Sequence, residues 1–170
     1  MGYKWLGAIL VLLGCGSFGF SMAVSFRKEE KILKQLIYVL ENMESELQYR
    51  LTPLPELCRQ AGADSSGTLQ MVFLNLYREL SCQMEPDVSS CMSSALRKSG
   101  ELPKQVRKHL YYLGKSLGRF DLSGQIRGIK AIENACRDDL KQLKANKDVR
   151  LRSYQTLSLC AGAALVILFI

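Results

Sequence analysis

Three groups of residues in this sequence have types and spacings that invite chemical use. Gly62-Ala-Asp-Ser-Ser-Gly67-Thr68 has the GxxxxG spacing of a phosphate-binding loop, whose backbone N–H groups cradle an anion between a strand and a helix. That loop needs a Lys directly after its second glycine, and here Thr68 stands there. No strand-like alternation precedes it, so the segment reads as a helix–helix linker. Glu41, Glu44 and Glu46 place carboxylates close together. Acid–base work would require one of them to sit in a pKa-shifting environment within reach of a substrate. Glu41 and Glu44 instead fall off the neighbouring leucine stripe and are expected to face solvent. His109 is the single histidine, set between Lys108 and Leu110-Tyr111, with no Cys or Asp partner evident in the sequence; it reads as a surface or half-buried residue. The cysteines, Cys15, Cys58, Cys82, Cys91, Cys136 and Cys160, include no CxxC pair. Zinc sites want paired ligands a few residues apart, so these read as free thiols acting as small hydrophobes. No catalytic set, metal site or cofactor is expected, and the chain reads as a non-enzyme.

The elements that carry these residues are helical almost throughout, because apolar residues recur three and four apart. Leu33, Leu36, Leu40, Met43, Leu47 and Leu51 form one stripe, predicting a first helix that ends at Tyr49 to Leu51. Thr52 is placed to cap a short second helix with Pro53 at its first position, where a missing N–H is harmless. That helix is expected to run to about Ala61, with Gly62 as its stop. A third helix is expected to start near Asp64, with Leu69, Val72, Phe73, Leu76, Tyr77 and Leu80 on one face. Pro86-Asp87 breaks the pattern, and Asp87 can cap a fourth helix through Met92, Leu96 and Lys98, ending at Gly100. Pro103 opens a fifth, carrying Val106, Leu110, Leu113 and Leu117, which Gly118 terminates. Asp121 or Ser123 can cap a sixth, with Ile126, Ile129, Ile132, Cys136, Leu140 and Leu143. The expected fold is all-α, a six-helix antiparallel bundle.

Both ends of the chain differ from this middle. The 22 residues from Trp5 to Phe26 and the 18 from Ser153 to Ile170 carry no charge, and roughly 20 apolar residues suffice to cross a bilayer as a helix. The expected organisation is therefore a transmembrane helix over 1–26, a soluble bundle over 27–152 and a second transmembrane helix over 153–170. Arg27, Lys28, Lys31 and Lys34 follow the first span, and Lys144, Lys147, Arg150 and Arg152 precede the second. Basic flanks stay on the cytoplasmic side, so the bundle is expected in the cytoplasm and both termini outside. Small residues four apart, Cys15, Gly19 and Ala23 in one end and Cys160 and Ala164 in the other, could let helices approach closely in lipid.

Charge is divided between the two halves of the bundle. Residues 35–96 carry a net −5 and residues 97–152 a net +9. Arg127, Arg137 and Lys141 on the sixth helix are the candidate basic face for anionic lipid or an acidic protein. Nucleic acid is the poorest fit, because the basic residues are spread along helices and few aromatics lie between them.

Two stretches resemble a known family. Leu40-Glu41 through Glu46-Leu47-Gln48-Tyr49-Arg50-Leu51-Thr52-Pro53-Leu54 is similar to an acidic helix end followed by Tyr-x-x-Thr-Pro-Leu. Leu113-Gly114-Lys115-Ser116-Leu117-Gly118-Arg119-Phe120-Asp121, with Gln125 four further on, is similar to a second motif. With the frame of two terminal spans and a helical middle, the chain resembles the stage III sporulation protein AB family of endospore formers. The resemblance implies a scaffold subunit, without a reaction of its own, in the channel joining mother cell and forespore. It further implies likeness to the platform protein of type II secretion and type IV pilus machines. The partners so implied are the membrane, a secretion-type ATPase and other membrane proteins of the channel, with room for an oligomer, at the membrane around the forespore. Tyr49, Thr52, Pro53, Leu54, Gly114, Leu117, Gly118, Asp121 and Gln125 are then the candidate motif residues. They either hold two helix corners or touch a partner, and both readings stand on sequence. A membrane-tethered adaptor that binds a cytoplasmic partner is the other functional class left open.

Overall fold

A leucine every three or four residues makes the first helix, α1 (Gly2–Tyr49), amphipathic over its second half, with one face that must be covered. The other elements are arranged to cover it. The computed structural model describes the backbone of residues 2–82, 87–118 and 121–169, and the side chains of residues 25–82, 87–118 and 121–146. Six α-helices and no strand occur among the described residues: α1 Gly2–Tyr49, α2 Leu54–Ala63, α3 Thr68–Cys82, α4 Val88–Lys98, α5 Lys104–Ser116 and α6 Leu122–Phe169. The chain divides into two units, Lys31–Leu140 and Met1–Glu30 together with Lys141–Ile170. Side chains of the two expected spans, and the small-residue ladders in them, lie outside the described residues. So do Pro86, Arg119 and Phe120. No helix among the described residues is long and apolar enough to cross a membrane.

Within Lys31–Leu140, α1 buries Leu33, Leu36, Leu40, Met43 and Leu47 as the stripe predicts, and adds Ile32, Ile37 and Val39. Leu69, Val72, Phe73 and Leu76 of α3, Cys91, Met92, Ala95 and Leu96 of α4, and Val106, Leu110, Leu113 and Leu117 of α5 and its end complete the core. α6 contributes Ile129, Ile132 and Cys136, while Ile126, Leu140 and Leu143 are only half-buried. A fully buried Leu or Phe contributes about 1.5–3 kcal/mol relative to exposure, so this shared core dominates the fold. Neighbours in sequence pack as neighbours in space, α2 on α3, α3 on α4 and α4 on α5, and short loops make each pair antiparallel.

Polar ties fix how these helices line up. Gln35 Nε2 donates to Ser66 Oγ at 2.6 Å and Asn42 Nδ2 to Asp64 Oδ2 at 3.0 Å, holding the α2–α3 turn against α1. Between α3 and α4, the buried Glu79 carboxylate accepts from Ser94 Oγ at 3.1 Å and from Lys98 Nζ at 2.5 Å. The Lys98 hydrogen bond holds the Glu79 carboxyl below the usual carboxylate range. Its stabilising effect is therefore present above that range and lost as the pH falls through the depressed folded-state value. His109 of α5 and Asp139 of α6 face one another with Nε2 and Oδ2 2.7 Å apart.

Several boundaries differ from the sequence expectation. α2 runs through to Ala63 with Gly62 inside it. Gly62 is there for close packing: a Cβ would lie 2.9 Å from Leu74 Cδ2. The positive φ that punctuates this linker belongs to Gly67, at 64°, and α3 begins directly after it. α4 stops at Lys98, short of Gly100. Thr52 does not cap α2. The residue before the helix is Pro53, with no side-chain cap bond, and the Thr52 hydroxyl donates instead to Glu46 Oε2 at 2.9 Å. Leu51 leaves the stripe altogether, turning outward at φ 52°. Asp87 caps α4 as expected, accepting from Ser90 N at 2.9 Å, and Asp121 rather than Ser123 caps α6, accepting from Gly124 N at 3.0 Å.

Residues 27–152 produced without the ends are expected to unfold cooperatively with a helical circular-dichroism spectrum. In that background Asp121→Ala should lower stability by about 0.5–2 kcal/mol, the value of an N-cap. Gly114→Ala should cost about 1–3 kcal/mol, because its Cβ would meet Met92 Cβ at 2.5 Å in a filled core. Urea unfolding of the three proteins gives both numbers, and an unchanged midpoint for Gly114→Ala would contradict the helix crossing described.

Candidate interaction surface

The motif residues occupy two chain reversals. In the first, α1 closes with Arg50 N donating to Glu46 O at 3.0 Å, and Leu51 then takes a left-handed conformation that costs a non-glycine residue roughly 1–2 kcal/mol. Pro53 cannot extend α1, since it lacks an N–H. Its carbonyl accepts from Leu57 N at 2.9 Å and starts α2. In the second reversal, Leu117 is buried, Gly118 turns the chain at φ 72°, and Asp121 caps α6.

These reversals are more than sixty residues apart in sequence, yet they meet. A Cβ on Gly118 would lie 2.6 Å from Val88 Cγ2 and 3.7 Å from Leu54 Cδ2. The start of α2, the start of α4 and the end of α5 therefore converge on one point. Gly114, one turn earlier, lets α5 lie directly on Met92 and Ser89 of α4. Leu54, Gly114, Leu117 and Gly118 thus build the junction, and Asp121 secures the helix leaving it. Gln125 is half-buried one turn on, its N–H bonded to Asp121 O at 3.0 Å. Tyr49 and Leu51 do not join the junction: they are 78% and 65% exposed beside it, with Leu122 at 39%. This end of the bundle lies opposite Lys31 and Leu140, about 27 Å along α1 at 1.5 Å per residue. Val88 and Leu122 were not visible as members of this site in the sequence, because neither belongs to a motif.

The other candidate groups resolve into structural roles. Glu44 does not face open solvent; its side chain is 16% exposed and accepts from Lys130 Nζ at 3.1 Å. Glu41 pairs with Arg137, whose Nε also donates to Glu133 Oε1 at 2.7 Å. Arg137 is therefore engaged within the bundle, Arg127 is exposed, and Lys141 belongs to the other unit. His109 is buried and has a partner in Asp139, thirty residues away, which sequence proximity could not reveal. Burial pushes the Cys58 and Cys136 thiols up to about 12, which removes the thiolate a nucleophile or metal ligand needs. Among the described residues no group of His, Cys, Asp or Glu is placed to hold a metal. A polar groove between α1 and α2, lined by Asn42, Ser45, Glu46, Gln60 and Asp64, has a volume of about 140 Å³. Ligand sites usually offer roughly 300–1,000 Å³.

Comparison with known proteins fits that architecture. A relative from Bacillus subtilis (strain 168), stage III sporulation protein AB, is 25% identical over 97% of this chain and 98% of its own length. A solved structure of stage III sporulation protein AB superposes with a TM-score of 0.63, covering 72% of this chain and 98% of that one at 19% identity, a likeness of fold. The family model described as stage III sporulation protein AB matches residues 4–170, and the chain belongs to that family.

Proposed function

We propose that this protein is a non-enzymatic, membrane-anchored scaffold subunit of the channel between mother cell and forespore, a secretion-like complex needed for endospore formation. The observation that carries the reading is the extent of the family match, residues 4–170, which takes in both uncharged end segments as well as the bundle. Within the bundle, the junction of the two motif reversals, with Tyr49 and Leu51 uncovered beside it, is a surface open to neighbours. A leucine kept exposed in a left-handed turn, where glycine would be unstrained, is a local cost of the kind found at contact sites. In this reading the junction engages other channel proteins, a secretion-type ATPase among them, and the basic flanks of the end segments hold the bundle on the mother-cell side.

Deleting the gene should block spore formation after the septum is made and leave vegetative growth unchanged; spore counts beside growth curves test this, and a growth defect would contradict it. Leu51→Gly should leave the bundle folded or slightly more stable, by up to roughly 1 kcal/mol, while reducing sporulation. Normal sporulation in a combined Tyr49→Ser and Leu51→Gly strain would remove the junction from the interaction map. A reporter active only outside the cytoplasm should be silent near residue 100 and active when fused after Ile170.

A further inference from the structure

We propose that the outer face of α5 is a docking surface for an acidic helix of another protein. Three observations converge on it. First, α5 carries Lys104, Arg107, Lys108 and Lys115 and no Asp or Glu at all. All four side chains are exposed, and no carboxylate among the described residues pairs with any of them. Second, five of the bundle's own acidic groups are already engaged. Glu41, Glu44 and Glu133 are held by Arg137 and Lys130, Asp139 by His109, and Glu79 by Lys98. Internal pairing thus engages Lys130 and Arg137 of α6, the helix that reads as the basic face in sequence, and leaves the four cations of α5 without a carboxylate among the described residues. Third, the face is not only charged. Tyr111 and Tyr112 are 39% and 48% exposed on it, their rings edge to face at 6.1 Å between centroids, with Lys115 Nζ 4.7 Å from the Tyr111 ring centre. Tyrosine and arginine are the residues that interface cores favour.

The geometry selects the occupant. Lys104, Lys108, Tyr111 and Lys115 follow one another by four, three and four residues, one per helical turn, in a line about 16 Å long. A partner helix with carboxylates at i and i+4 presents the same repeat. A lipid surface fits less well, because every aliphatic side chain of α5, Val106, Leu110 and Leu113, is buried and none is left to enter a bilayer. A second copy of this chain is a weaker source of the acid, since its Glu41, Glu44, Glu79, Glu133 and Asp139 are paired in the same way. The inference does not rest on the channel reading, and it concerns a face distinct from the Gly118 junction.

The test is photo-crosslinking of the full-length chain at its native level in cells, with p-benzoylphenylalanine in place of Tyr112. The expected result is a discrete protein adduct whose mapped segment is helical and carries carboxylates at i and i+4. Lys108→Glu combined with Lys115→Glu should reduce that adduct by about tenfold or more at an unchanged melting temperature. Lys108→Gln with Lys115→Gln, which introduces no repulsion, should reduce it less and serves if the reversal misfolds. Exchanging the mapped carboxylates for lysine should restore the adduct to the charge-reversed chain. The proposal is overturned by absence of any adduct, by an adduct insensitive to both double variants, by crosslinking to lipid alone, or by failure of the charge exchange to restore it.

Discussion

How closely α5 can approach α4 decides the architecture of the motif end. Gly114 puts backbone against Met92, and Gly118, four residues on, turns the chain into the space beside Val88 and Leu54. A methyl group at either place would occupy volume already filled, and protein interiors are packed too densely to yield it without shifting a helix. With α5 seated, Leu117 is buried, Asp121 arrives where it can cap α6, and the reversal after α1 gains a wall for Leu54. Loosening that approach would separate two corners that meet through Gly118, Val88 and Leu54.

Charge follows from burial. Taking a carboxylate out of water costs several kcal/mol unless it is paired. Glu79, Glu44 and Glu133, with side chains 5%, 16% and 10% exposed, each have a cation. The acidic first half of the bundle thus draws on the basic second half, and on α6 in particular. Lys104, Arg107, Lys108 and Lys115 of α5 take no part in this exchange among the described residues. A positive surface of this kind raises encounter rates and specificity for an anionic partner more than it adds to stability.

Loss of water around the Cys58 and Cys136 thiols holds them protonated, and His109 is packed between α5 and α6 against Asp139. These groups serve as packing and as ties between helices. Tyr49 and Leu51 beside the junction, and Tyr111 and Tyr112 of α5, are left exposed.

The local pattern of the sequence determined the number, order and inward faces of the helices, because the stripes of α1, α3 and α5 recur at three and four residues and need only a partner of the same kind. Caps were legible where a side chain acts on its own backbone, as at Asp87 and Asp121. Thr52 was not, because its hydroxyl had a nearby carboxylate, Glu46, as an alternative partner. Gly118 was legible as a stop, since its positive φ is a local property, whereas Gly62 was misread as one because its reason is Leu74 on another helix. Only the tertiary structure decided that Leu54 meets Gly118, that His109 meets Asp139, and which lysines and arginines are spent on buried carboxylates. Each of these is a contact between distant segments, whose pairing depends on how helices cross rather than on any repeat along the chain.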